Sequence, residues 1–143
     1  MISHVSIEAP VGEVFERLVK PDYRVLWIQN AFNIRYDGNA PCTAPGAAFV
    51  QVQKDGGNTI RFRGVNLNVE EPNMFRYRLM DRMFVIDTTY RLLTHHSGTL
   101  VQMSAELRGK NPVSQIIGRW TAGVRQRLAS EELSALKRLC EGA

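Results

Sequence analysis

Cysteine, histidine and long apolar runs are all scarce in this chain. Its two cysteines, Cys42 and Cys140, lie far apart and form no CxxC pair. That spacing excludes a disulfide framework and a cysteine-based metal site, and makes a reduced, cytoplasmic protein the expectation. Cys42 sits in a proline-flanked loop, where an inert thiol is the default reading. Of the three histidines, His95 and His96 are adjacent, and neighbours in an extended chain point to opposite sides, so they do not share one metal. Ser97 lies close by, but a hairpin tip cannot bury a serine–histidine pair. HExxH, a P-loop and GxGxxG are all missing, and Gly56-Gly57 reads as a turn. No cofactor and no metal are therefore expected. No apolar run approaches the roughly 18 residues of a membrane span, which argues against integral membrane association. Residues 1–5 carry neither a basic region nor an apolar stretch, so no signal peptide is expected. The excess of positive charge is small: 18 Lys and Arg against 14 Asp and Glu give a net +4. The basic residues are spread, without a run of four, so no nucleic-acid partner is expected.

What is present is patterned. With 143 residues, 44% of them apolar, the chain is long enough for one domain, 1–143, with its own core. Ile2–Glu8 alternates weakly and reads as a strand. After Pro10, residues Val11, Val14, Phe15, Leu18 and Val19 make the stripe of a short helix that Pro21 ends. Asp22 caps a second short helix carrying Tyr23, Leu26 and Trp27, to about Gln29. From Phe32 to Leu107 the period is two, with turns at Gly38–Pro41, Asp55–Asn58, Glu71–Asn73 and Ser97–Thr99. Turns at roughly ten-residue spacing imply an antiparallel meander, about seven strands in all. Asn111-Pro112 then opens a long helix. Its stripe runs Val113, Ile116, Ile117, Trp120, Val124, Leu128 and on through Leu133, Leu136 and Leu139, so one helix is expected from Pro112 to about Cys140.

The class is α+β. A helix amphipathic over its whole length must lie on the sheet, and the two short helices then bridge a gap that forms a cavity. This order resembles the START-like superfamily, also called SRPBCC or the helix-grip fold. Local matches are Ile7–Phe15, Pro21–Trp27, Pro45-Gly46, Val69–Tyr77 and Ser97–Val101. The resemblance covers essentially the whole chain. It implies an antiparallel sheet wrapped around a long C-terminal helix, with two short helices after the first strand. The superfamily hosts lipid carriers, polyketide cyclases and the birch-pollen-allergen group, so the resemblance defines a fold and not an activity.

Trp27, Tyr77, Phe84, Tyr90 and Trp120 are the large rings expected around such a cavity. Arg61 joins them as a candidate ligand-binding residue. Unbroken alternation puts Arg61 and Arg63 on the parity of Val65, Leu67 and Val69, whereas a bulge at Gly64 flips them outward. Asp87 shares a strand face with Arg91 and is either solvated or a cavity ion pair. No paired carboxylates and no His–acid dyad can be placed in the cavity, so no catalytic residue is assigned. The expected function is binding or transport of a hydrophobic or amphipathic small molecule. The alternatives are a polyketide cyclase or dehydratase-like enzyme using tyrosine and arginine, and a protein-interaction module with a filled core. A buried, strongly perturbed acid or base would favour the enzyme, and a solid interior the interaction module. The reading leaves a homodimer open.

Overall fold

In the computed structural model, which describes residues 2–142 apart from the side chains of Asp55 and Trp120, the two edges of one sheet are joined by helices. The elements run β1 (Ile2–Ile7), α1 (Val11–Val19), α2 (Pro21–Trp27), β2 (Ala31–Tyr36), β3 (Ala48–Asp55), β4 (Asn58–Glu70), β5 (Met74–Met80), β6 (Phe84–His95), β7 (Gly98–Gly109), α3 (Pro112–Trp120) and α4 (Ala122–Glu141). The seven strands lie in the order β1-β7-β6-β5-β4-β3-β2, every neighbouring pair antiparallel. Strands β1 and β2 are thus the edges, and α1 and α2 connect them. This is the helix-grip architecture that the order of elements implied.

The core lies between one face of the sheet and the helices. Val14, Phe15, Leu18 and Val19 of α1, Trp27 of α2, and Ala129, Leu133 and Leu136 of α4 are buried against Phe49, Phe62, Phe75, Tyr77, Tyr90, Leu92 and Val101. Alternation explains the strand residues: on β6, Ile86, Thr88, Tyr90 and Leu92 turn inward while Asp87, Thr89 and Arg91 turn outward.

Two expectations need correction. The C-terminal stretch is not one helix. It breaks at Thr121, whose φ −94° and ψ 4° leave the helical well, and Gly118 and Gly123 on either side weaken continuity. Nor does the first half of its stripe meet the sheet: Val113 is 64% exposed, Ile116 53%, Ile117 39% and Val124 47%. Instead α3 turns its small side inward. Ser114 and Gly118 are buried, and a Cβ on Gly118 would come within 2.7 Å of Leu107. Close approach of α3 to β7 requires these small residues, and the Asn111–Ser114 capping box fixes where the helix starts.

The second correction concerns β4. Its bulge lies between Asn66 and Asn68, not at Gly64. Ile60, Phe62, Gly64 and Asn66 therefore face inward, and Arg61 and Arg63 are exposed on the outer face. Gly64 is glycine because the Phe49 ring lies directly over it, where any Cβ would collide.

Candidate functional site

Between α4 and the inner face of the sheet lies a cavity of about 160 Å³. Its apolar wall is Ile28, Leu79, Ile86, Met103 and Leu128. Its polar groups are Gln51 and Gln53 from β3, Tyr77 from β5, Thr88 and Tyr90 from β6, and Arg125 and Glu132 from α4. Periodicity puts them there. Gln51 and Gln53 share the inward parity of Phe49, so the apolar Val50 and Val52 turn outward. Residues 125, 129, 132 and 136 fall on one face of α4.

Glu132 is the chemically distinctive group. Burial pushes its carboxyl up from 4.5 to about 7, against the hydrogen bond it accepts from the Gln29 N–H at 3.3 Å, and the charge of Glu131 adds to the rise. Burial also holds the Tyr90 phenol well above its usual value, with Tyr77 and Glu132 adding to it. At neutral pH Tyr90 is therefore a donor, while Glu132 exchanges a proton readily. Arg125 donates to the Gly118 carbonyl at 2.7 Å, its Nε has no partner, and burial lowers its pKa. Among the described residues no ion pair joins Arg125 to Glu132.

Behind Gln51 and Tyr77 sits Arg24, fully buried and without a carboxylate partner among the described residues. Its guanidinium lies over the rings of Tyr77 at 4.8 Å, Phe49 at 4.9 Å and Phe75 at 5.6 Å. It donates to the Tyr36 hydroxyl at 3.1 Å and to Gln51 Oε1 at 3.4 Å. The Tyr36 hydroxyl donates in turn to Asn66, which donates to the carbonyls of Cys42 and Ala44. Aromatic faces and neutral acceptors thus replace a counter-ion, and Gln51 links this network to the cavity wall.

The six sequence-derived candidates separate. Tyr77 and Tyr90 line the cavity. Trp27 packs edge-on against Tyr90, centroids 5.9 Å apart, and its indole N–H donates to the Arg17 carbonyl at 2.9 Å, so it supports the wall from behind. Phe84 lies under α3, against Gly118. Arg61 is on the opposite face of the sheet, in an outer groove of about 1010 Å³ with Arg63, Val65, Met80, Arg82, Met83 and Lys110. The side chain of Trp120 lies outside the described residues. Asp87 is on the outer face too, yet buried, because Arg78 holds it through two bonds of 2.7 and 2.9 Å; Arg78, not Arg91, is its partner. Cys140 packs against the core, where burial raises its thiol to about 11, and Cys42 is likewise raised by burial. Glu132, Arg125, Gln51, Gln53 and Thr88 went unrecognised in the sequence. Their shared signal is a polar residue at an inward-phased position.

Solved structures resemble the chain along its full length. The architecture they share with it is the helix-grip fold. Among the similar structures are protein CV1439 from Chromobacterium violaceum, with 18% identity, a TM-score of 0.76 and coverage of 100% of this chain and 98% of that one. The di-domain aromatase/cyclase StfQ of the steffimycin biosynthetic pathway has 12% identity and a TM-score of 0.79, with 99% of this chain matching 50% of that one. Ara h 8.0201 has 14% identity and a TM-score of 0.67, over 95% and 96%. At these identities the likeness is one of fold. No family model and no curated protein sequence matches the chain. Among the described residues no helix is long and apolar enough to cross a membrane, and no group of three or more metal-ligating side chains comes together.

Proposed function

We propose that the chain binds a hydrophobic or amphipathic small molecule in the cavity between α4 and the sheet. The observation that carries this reading is the cavity's two-sided wall. One side is aliphatic, and the other presents Gln51, Thr88, Tyr77, Tyr90, Arg125 and Glu132. Such a mixture fixes orientation while burial supplies affinity. A volume of about 160 Å³ admits one ring-sized ligand, since an apolar cavity of about 150 Å³ holds benzene. Among the neighbours, StfQ is named an aromatase/cyclase and Ara h 8.0201 carries no enzyme name, so the shared fold does not choose between binding and catalysis.

Glu132 favours a second reading, an acid–base enzyme acting next to a carbonyl. A carboxyl titrating near 7 serves as base and as acid at neutral pH. In that reaction Glu132 takes the proton from the carbon beside the carbonyl. The electron pair moves onto the carbonyl oxygen, and the Tyr90 hydroxyl donates to the oxyanion that forms.

One series tests both readings. Calorimetry with small phenols, 2,4-pentanedione and medium-chain carboxylic acids should give saturable binding that Tyr90→Phe weakens. Under the enzyme reading, Glu132→Gln retains binding but abolishes deuterium exchange at the α-carbon of a bound ketone. If no compound binds, the ligand reading fails; if exchange is equally fast with Glu132→Gln, the enzyme reading fails.

A further inference from the structure

Among the described residues the apolar row on α3 and the start of α4 has no partner within the chain. Of the eight large exposed apolar side chains among the described residues, four, Val113, Ile116, Ile117 and Val124, lie along it. Helical spacing puts 113, 116 and 117 on one side of α3, opposite the buried Ser114 and Gly118. An amphipathic helix normally buries its apolar side; this one is docked through its small side and presents the apolar side to water.

The segment that carries the row has charges of one sign. From Leu107 to Ser130 the sequence carries Arg108, Lys110, Arg119, Arg125 and Arg127 and no acidic residue. Of these, Arg119 follows Ile116 and Arg127 follows Val124 by one helical turn, so the two flank the row.

We infer that this face docks on the surface of an anionic phospholipid membrane. The apolar row enters the interface, and Arg119 and Arg127, which flank it, meet the phosphates. Charge complementarity selects this occupant. A second copy would set Arg119 and Arg127 against their own kind with no acid in the segment to answer them. An acidic protein would satisfy the charge, but the row is an exposed aliphatic face, not a pocket for a partner's anchor. A lipid interface accepts such a face without a pocket. The inference stands independently of what the internal cavity binds.

Vesicle flotation tests it. The protein should float with phosphatidylcholine vesicles containing phosphatidylglycerol and not with phosphatidylcholine alone, and binding should weaken with salt. V113D/I116D and R119E/R127E should each weaken binding at least about tenfold. L93D, a charge introduced at an equally exposed apolar site on β6, should leave binding unchanged. All three variants alter exposed positions, and their melting temperatures report whether folding is preserved. Failure of the wild-type protein to bind phosphatidylglycerol vesicles at low salt overturns the inference. So does loss of binding in L93D equal to that in V113D/I116D. A dimer that V113D/I116D dissolves, or capture by polyglutamate, in the absence of vesicle binding gives the face to a second copy or to an acidic protein and also overturns it.

Discussion

The sheet carries a hollow on each side, and the smaller one holds the carboxyl that burial shifts to about 7. The outer groove, about 1010 Å³, combines Arg61, Arg63, Arg82 and Lys110 with Val65, Met80 and Met83. Arg61, Arg63, Arg82 and Lys110 are exposed, so water screens their charges. The inner cavity, about 160 Å³, is walled by side chains that are buried or half-buried, and there burial moves Glu132 to about 7. The comparison teaches that removal from water, not volume, gives a group unusual reactivity.

The largest expected difference between the two sides is in packing. Tyr90 is 2% exposed, so Tyr90→Ala should cost about 3–5 kcal/mol. The partly exposed Met80 of the outer groove should cost roughly 1 kcal/mol when cut to Ala. Urea denaturation measures both, and equal costs would break the comparison.

Next comes pH. The folded pKa of Glu132, about 7, lies above its unfolded value, so the native state holds the proton longer. Wild-type stability should fall as pH rises from about 4.5 through 7, by up to about 3 kcal/mol. Glu132→Gln removes that slope. It should match the wild-type protein at pH 4 and exceed it at pH 8, as followed by thermal melts across pH.

Asp87 gives the opposite slope from the outer side. Hydrogen bonds from Arg78 hold its carboxyl below the usual range, with the charges of Arg78, Arg76 and Arg108 assisting. Its contribution is present above the ordinary carboxylate pKa near 3.9 and is lost as pH falls through the folded value. Asp87→Asn should cost about 1–2 kcal/mol at pH 7 and flatten the acid limb of the stability curve.

The smallest effect belongs to Arg61. Arg61→Ala should change stability by less than about 0.5 kcal/mol and leave calorimetric ligand binding unchanged. A loss of binding would return the outer groove to consideration.

The strand and helix pattern of the fold was readable from residue spacing, because alternation and turn residues act locally. Val113 to Leu139 shows where reading stops. The stripe is real, but spacing does not say which side of a helix the sheet receives. Ser114 and Gly118 permit close approach to β7, and that settled α3 the other way. The phase of β4 depended on one bulge, at Asn66–Asn68, and that bulge decided the direction of Arg61. Glu132 was missed because Leu128, Leu133 and Leu136 made its surroundings look like plain core. Its perturbed carboxyl arises from the packing of α2 and α4, which no local pattern records.

Methyl-resolved NMR on methionine-labelled protein tests the central claim most directly. Met103 lines the inner cavity, while Met80 and Met83 line the outer groove. Titration with small phenols, 2,4-pentanedione and medium-chain carboxylic acids should shift the Met103 methyl saturably, leave Met80 and Met83 in place, and require more ligand in Tyr90→Phe. Movement of Met80 and Met83 with Met103 unmoved, or no movement at Met103 with any of the compounds, would contradict the account.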